Sequence, residues 1–192
     1  LGSKIDTDNI AIDLPLARRL PELLRRLGYA CRCVVFDDGG CWRILDVLEP
    51  DGASAAGIAL DLGTTRVVLK AVDLETGAAL AETAIDNPQA SVGPDILSRI
   101  HYCEQTDGLH HLHQLIIEGI NSATAELCAK GGIGSDQVYL MAVAGNTAMT
   151  HMFAALPPRG MIREPYIPAA NTPGTVRAGE LGIRINARGR VY

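Results

Sequence analysis

Hydrophobic positions in the first part of the chain follow two different periods. From Asp13 to Gly28 leucines recur at helical spacing, with a proline in the first turn and Gly28 as C-cap, which predicts a helix. Two β-rich runs on either side of an Asp-Asp-Gly-Gly turn signal then predict a hairpin with strands at Tyr29–Phe36 and Cys41–Leu48. Together these elements predict a small α+β helix-hairpin unit.

The small-residue segment Glu49–Ser54 separates this unit from a denser second part. We therefore expect separate domains at residues 1–54 and 55–192. The second part is predicted to contain strands Gly57–Asp61, Val67–Val72 and Ala78–Ile85, helices Pro94–His101 and Leu109–Cys128, strand Val138–Ala144, a helix from Gly145 to Ala155, and the start of a strand at Arg190–Tyr192. This order predicts an α/β fold, with a mixed sheet formed by a meander followed by helix, strand and helix.

Composition and charge narrow the class of protein. With 192 residues, 47% of them hydrophobic, the chain can bury a substantial core and is not a disordered tail. A formal net charge of −5 argues against a dedicated nucleic-acid binder. No apolar run reaches the roughly 18–20 residues that a bilayer span needs, and no signal segment opens the chain. We therefore expect a soluble cytoplasmic protein whose first residue, Leu1, is not its original start.

The segment Asp61-Leu62-Gly63-Thr64-Thr65 carries the sharpest chemical signal. An acidic residue ends a buried strand, and a glycine and two hydroxyl residues then form a tight turn. Backbone N–H groups in such a turn can bind an anion, and the threonine hydroxyls can donate to phosphate oxygens. The Asp61 carboxylate suits a hydrated Mg²⁺. The alternative is an ordinary hairpin in which these polar side chains only cap the turn.

A second candidate anion site is Gly145-Asn146-Thr147, which follows a buried strand and opens a helix. Simple helix capping by Asn146 or Thr147 is an equally good interpretation. His151, one turn further on, is more typical of a packed or partly exposed helix residue than of a catalyst.

Asn87, Asp95 and Arg99 lie where the chain leaves the meander and enters a helix. They could form a functional surface near a nucleotide or a partner protein. The interpretation that we favour is structural: Asp95 caps the helix and pairs with Arg99 at i, i+4 on an exposed face.

Two clusters invite a metal interpretation, and we favour a structural one for both. Cys31, Cys33 and Cys41 lack the paired spacing and the fourth ligand of zinc and iron–sulfur sites, and the first two are expected to share a strand face as small buried hydrophobes. The other cluster, His110, His111 and His113, is expected to be solvated helix surface, since only the first and third share a helix face.

The loop and its surroundings resemble a known family. Gly57–Thr65 is similar to the first phosphate loop of the superfamily of acetate and sugar kinases, heat-shock chaperones and actin (ASKHA). Three further stretches resemble the reductive activators of corrinoid proteins: Val72–Gly77, Asn87–Gln89 with Gly93–Ile100, and Val143–His151. The resemblance covers nearly all of residues 56–192, while residues 1–54 resemble the C-terminal part of the family's small α+β middle domain.

The resemblance implies an RNase H-like, actin-like half-domain in an ATP-dependent protein. Such activators return Co(II) corrinoid to Co(I), using a [2Fe–2S] cluster on a separate ferredoxin-like domain. Asp61 would be the catalytic residue and would hold Mg²⁺ through water, while Gly63, Thr64 and Thr65 would contact the β- and γ-phosphates of ATP. Gly145, Asn146 and Thr147 would complete the nucleotide site on this side. The partner would be a corrinoid iron–sulfur protein or a corrinoid methyltransferase protein, and the activator a possible homodimer.

The resemblance also implies that this stretch holds about half of an ATP site. We expect it to bind nucleotide weakly, to ligate no cluster and to transfer no electrons by itself. Two other functions stay open from the sequence: a small-metabolite kinase of the same superfamily, and a non-catalytic actin-like docking module.

Overall fold

The computed structural model describes residues 8–192, so residues 1–7 of the first predicted domain lie outside the described residues. The chain divides into two compact units, one ending at Ala55 and the other comprising Ala56–Tyr192. The described elements of the first unit are strand β1 (Ile10–Ile12), helix α1 (Leu14–Arg26) and strands β2 (Arg32–Asp37) and β3 (Trp42–Leu48). They form a three-stranded sheet in the order β1-β3-β2, with β2 antiparallel and β1 parallel to β3.

Two features of this unit differ from the prediction. Strand β1 was not predicted, because three residues are too few to show a period of two. Strand β2 begins at Arg32 and not at Tyr29, because Gly28 and Tyr29 both have left-handed backbone conformations, with φ of 57° and 62°. Cys31 therefore precedes the strand and Cys33 lies within it.

The second unit contains a six-stranded mixed sheet in the order β6-β5-β4-β7-β9-β8. Its strands are β4 (Ala56–Leu62), β5 (Arg66–Asp73), β6 (Ala79–Asp86), β7 (Val138–Gly145), β8 (Val176–Arg177) and β9 (Arg190–Val191). Strands β4, β5 and β6 form the predicted antiparallel meander, while β7 lies parallel to β4 and β9 parallel to β7. The predicted mixed α/β sheet is thus confirmed.

Three helices accompany this sheet: α2 (Ile96–Tyr102), α3 (Gly108–Gly131) and α4 (Thr147–Phe153). Alternate residues of β4 are buried, with Leu60 at 2% and Leu62 at 0% exposure, and they join one core with apolar side chains of α3 such as Ile116. Between them Ala59 and Asp61 are exposed on the other face of the sheet. Among the described residues, no helix is both long and apolar enough to cross a membrane.

Candidate functional site

The two predicted anion-binding segments lie next to each other at the ends of neighbouring parallel strands. Leu62, the last residue of β4, pairs with Gly145, the last residue of β7. Across this edge the side-chain amide of Asn146 donates a hydrogen bond of 3.2 Å to the Thr64 hydroxyl. The carboxyl ends of parallel strands are where open α/β sheets bind ligands.

Gly63 is required by the turn itself. A Cβ atom placed there would lie 2.2 Å from the Arg66 carbonyl oxygen, and backbone at that distance cannot move aside cheaply. The close approach is therefore within the turn, whereas the sequence suggested a close approach to a ligand. Gly145 is less constrained, since a Cβ there would meet Leu62 Cβ and its carbonyl oxygen at 3.2 Å.

Two of the three carbonyl groups of the β4–β5 loop, Gly63–Thr65, accept hydrogen bonds from Asn87, whereas its amide groups have no acceptor among the described residues. The Asn87 side-chain amide donates to the Gly63 carbonyl, and the Asn87 backbone N–H donates to the Thr65 carbonyl, both at 2.8 Å. Across residues 8–192, no residue accepts a hydrogen bond from the N–H groups of Gly63, Thr64 or Thr65. Because these donors are available beside a hydroxyl group, the loop can bind an anion such as phosphate.

Asp61 presents an unpaired carboxylate on the open face of the sheet. It is exposed, and it forms no ion pair or hydrogen bond with any residue in the described part of the chain. It lines a cavity of about 410 Å³ with Ala59, Ala144 and, further along, Lys70. A free carboxylate close in sequence to a phosphate-binding loop is suited to hold a hydrated magnesium ion.

Asn146 has two roles in the structure. Its side-chain oxygen accepts a hydrogen bond of 3.0 Å from the Met149 N–H, which caps α4 as the structural interpretation held. Its side-chain nitrogen is the group that reaches Thr64. His151 is packed, at 1% exposure, with Nδ1 bonded to the Thr147 carbonyl and Nε2 accepting from the Ala170 N–H.

The favoured interpretation of Asp95 and Arg99 is half right. Asp95 caps α2 by accepting from the Ser98 N–H at 2.9 Å, and this bond lowers the pKa of its carboxyl group. The expected ion pair with Arg99 is wrong: Arg99 is 0% exposed and donates to the Gly93 carbonyl and towards the Gln89 side-chain oxygen. The physical reason is packing, since the Arg99 face of α2 points into the protein and not into solvent.

In the sequence, Gln89 belongs only to a family-like stretch, whereas Asn87 is also a candidate for a functional surface near a nucleotide or a partner protein. Both are buried, at 0% and 1% exposure, and both hold backbone: Gln89 donates to the Leu112 carbonyl, and Asn87 holds the loop. An amide side chain followed by proline at the end of a strand was the available signal, but it did not reveal what the side chain would contact.

The histidines and cysteines form no metal cluster within residues 8–192. His110, His111 and His113 have separate partners, which are Gln114, the Tyr102 hydroxyl and the Phe153 carbonyl. His113 is half-buried and so is not simple solvated surface.

The two cysteines near the start of β2 also differ from expectation. Cys31 and Cys33 are half-buried and not fully buried. Burial, and then the neighbouring Cys31 thiol, raise the pKa of Cys33. A thiol with a raised pKa is a poor thiolate ligand at neutral pH, and nothing in this arrangement suits an iron–sulfur cluster.

Comparison with known proteins identifies the family. Residues 56–192 match the family model described as the RACo middle region. A curated relative, the corrinoid activation enzyme RamQ of Eubacterium limosum, is 30% identical over 136 residues, which are 70% of this chain and 23% of that protein. A solved structure of a reductive activator for corrinoid, iron-sulfur protein superposes with a TM-score of 0.90 at 34% identity, covering 99% of this chain and 31% of that one.

The chain thus spans between about a quarter and a third of the length of these relatives. The structural match confirms the predicted actin-like fold class. The chain belongs to the RACo-like family of corrinoid reductive activators.

Proposed function

We propose that this chain supplies one half of the ATP site of a protein that returns Co(II) corrinoid to Co(I). The observation that carries the proposal is the β4–β5 loop, where Asn87 holds the Gly63 and Thr65 carbonyls while no residue among 8–192 bonds the N–H groups. Family membership favours this activity over a small-metabolite kinase, and the loop argues against a degenerate docking module. Since the chain covers only part of its relatives, the reaction is proposed for the complete protein.

Each residue of the proposed site has a role that follows from its chemical groups. Gly63, Thr64 and Thr65 would donate N–H and hydroxyl groups to the β- and γ-phosphates. Asp61 would hold Mg²⁺ through water, because it is the unpaired carboxylate nearest to the loop in sequence. Asn146 would keep the Gly145–Thr147 segment at a fixed distance from the loop through Thr64.

The bound nucleotide would supply the free energy that makes an uphill one-electron reduction possible. The loop donors would hold its phosphates and Asp61 would hold the accompanying Mg²⁺, which would link hydrolysis to a change in the position of this unit. Among the described residues no group of cysteines could hold a [2Fe–2S] cluster, so that cluster would belong to another domain of the complete protein. The partner would be a corrinoid iron–sulfur protein or a corrinoid methyltransferase protein, and the complete activator would be a cytoplasmic homodimer.

Nucleotide binding tests the site directly. Titration of this chain with Mg-ADP, followed by backbone amide NMR, should shift the signals of Thr64 and Thr65 at millimolar concentrations. Asp61→Asn should weaken Mg-ADP binding at least tenfold, because one charged contact is worth roughly 1.5–3 kcal/mol. Asp73→Asn, at the end of the next strand, is the matched control and should leave it unchanged.

The redox part has its own test in the complete protein. Asp61→Ala should abolish ATP-dependent appearance of the Co(I) absorbance of the partner corrinoid. Retained turnover would remove Asp61 from the mechanism. Consumption of ATP without any corrinoid partner would instead favour the kinase alternative.

A further inference from the structure

Arg99 is a buried cation without a counter-ion. It is 0% exposed, and no carboxylate forms an ion pair with it among residues 8–192. Burial lowers the pKa of its guanidinium, and the more distant Asp95 carboxylate opposes this effect. An arginine stays protonated all the same, so the protein carries a buried charge that no carboxylate among the described residues contacts directly.

The guanidinium donates in three directions. Its Nε donates to the Gly93 carbonyl at 2.8 Å, and Nη1 lies 3.4 Å from the Gln89 side-chain oxygen and 3.5 Å from the Met149 sulfur. Nη2 has no hydrogen-bond partner among the described residues. A side chain that served stability alone would be better replaced by an apolar one, because a buried charge and an unbonded donor both cost free energy.

The first branch leads from Arg99 to the β4–β5 loop. Nη1 of Arg99 contacts Gln89, whose backbone N–H donates to the Asn87 side-chain oxygen at 2.9 Å. Asn87 in turn holds the Gly63 and Thr65 carbonyls. Arg99 is therefore connected to the carbonyl side of the loop through two buried amide side chains.

The second branch leads to the other side of the same loop. Arg99 contacts the Met149 side chain, and the Met149 N–H is bonded to Asn146, which donates to the Thr64 hydroxyl. Together the two branches form a closed network of contacts, which runs from Arg99 through both candidate phosphate-binding segments and back to Arg99. Such a network fixes the distance between the two segments only if the side chain that joins its branches is rigid and has donors in several directions. A guanidinium group meets both conditions.

We propose that Arg99 is a positioning residue that holds the β4–β5 loop and the Asn146 end of α4 in one arrangement. The proposal rests on the proposed function for its ligand, a phosphate group, but the positioning itself is independent of any ligand. Lysine cannot replace Arg99 here, because one ammonium group cannot reach Gly93, Gln89 and Met149 in the same planar geometry.

The test compares Arg99→Lys with a substitution of another buried polar residue that lies outside both branches. Asn121→Ala is the matched control, since Asn121 is a buried polar residue that bonds Gly182 and Arg184 and belongs to neither branch. In the ligand-free chain, ¹⁵N relaxation should show the order parameters of Thr64 and Thr65 falling from about 0.85 to about 0.6 in Arg99→Lys only. The Asn87 amide proton should also exchange about tenfold faster. Loop order equal to that of Asn121→Ala would overturn the proposal.

Gln89 gives a second pair of variants in case Arg99→Lys does not fold. Gln89→Glu keeps an acceptor for Arg99, and Gln89→Leu does not, while both lose the donor to the Leu112 carbonyl. Loop order should survive in Gln89→Glu and be lost in Gln89→Leu, and equal effects of the two would overturn the proposal.

Mg-pyrophosphate binding then separates the two hypotheses. About tenfold weaker binding in Arg99→Lys than in Asn121→Ala supports both. An absence of pyrophosphate binding in the unmodified chain contradicts the proposed function, and the relaxation data still decide the role of Arg99.

Discussion

The meander contains two turns with similar composition and different construction. The first, the β4–β5 loop, follows the end of β4 and contains one glycine and two threonines. The second, between β5 and β6, follows Asp73, the last residue of β5, and contains Thr76 and Gly77. Both join antiparallel strands of one sheet. They differ in which residues satisfy their polar groups.

The β5–β6 turn satisfies its own polar groups. The Asp73 carboxylate accepts from the N–H groups of Glu75 and Thr76 at 2.9 and 2.8 Å and from the Thr76 hydroxyl at 3.0 Å. The Thr76 hydroxyl also accepts from the Ala78 N–H. Because its donors are already used, this turn has little to offer a ligand.

The β4–β5 loop is held from a distance. Its partners are Asn87, 24 residues beyond Gly63, and Asn146, 82 residues beyond Thr64. Neither Asp61 nor either threonine forms a side-chain hydrogen bond that closes the turn, within the part of the chain that the structure describes. Fixing a turn through its carbonyls from outside leaves its amides available, and this distinguishes a candidate binding loop from a simple connection.

The largest expected difference between the turns concerns their glycines. Gly63→Ala should lower the free energy of unfolding by about 3 kcal/mol, because the new Cβ would overlap the Arg66 carbonyl. Gly77→Ala should cost about 1 kcal/mol, since Gly77 has φ of 73° and open space around it. Urea denaturation of both variants measures the difference. Equal costs would show that the β4–β5 loop can relax freely.

The second largest difference is expected between the residues that hold the two turns, Asn87 and Asp73. Asn87→Ala should cost about 2 kcal/mol, because it removes a buried side-chain bond and leaves the Gly63 carbonyl without its partner. Asp73→Ala should cost about 1 kcal/mol, half as much, since water can replace its bonds in an exposed turn. Denaturation midpoints provide the comparison, and a larger loss in Asp73→Ala would contradict it.

For the threonines, the larger loss of stability should occur in the β5–β6 turn and not in the β4–β5 loop. Thr76→Val removes two local bonds and should cost about 1 kcal/mol, whereas Thr64→Val removes only the 3.2 Å contact with Asn146 and should cost about 0.5 kcal/mol. Thr64→Val should nevertheless be the variant that weakens Mg-ADP binding. An unchanged ADP titration in Thr64→Val would argue that its hydroxyl does not contact phosphate.

The smallest effect is a pH dependence at α2, the helix that carries Arg99. Hydrogen bonds from Ser98 lower the pKa of Asp95, so its stabilising contribution is present above the unfolded value of about 3.9 and is lost as the pH falls through the folded value. Asp95→Asn keeps a capping oxygen that does not titrate. The unmodified chain should therefore lose more stability than Asp95→Asn between pH 6 and pH 3. Parallel losses would show that the cap does not titrate in this range.

Much of the site could be predicted because its residue types are local signals. Asp61, Gly63 and the two threonines are adjacent in sequence, and the strand before them alternates regularly. The role of Arg99 could not be predicted, because spacing of i, i+4 from Asp95 is the same for an exposed pair and for a residue facing the interior. The purpose of Gly63 was also hidden, since the Arg66 carbonyl approaches it only once the turn has closed.

The sequence by itself determined the meander, helices α2, α3 and α4 and strand β7 of the second unit, together with the presence of a phosphate-loop pattern. The two-residue strand β8 was not predicted. Periodicity and turn residues act over a few positions, and those interactions form wherever the chain carries them. The tertiary structure alone decided that Asn87 and Asn146 meet the same loop and that Arg99 lies buried behind it. Contacts between residues 24 and 82 positions apart depend on how strands pair and helices pack, which no local pattern specifies.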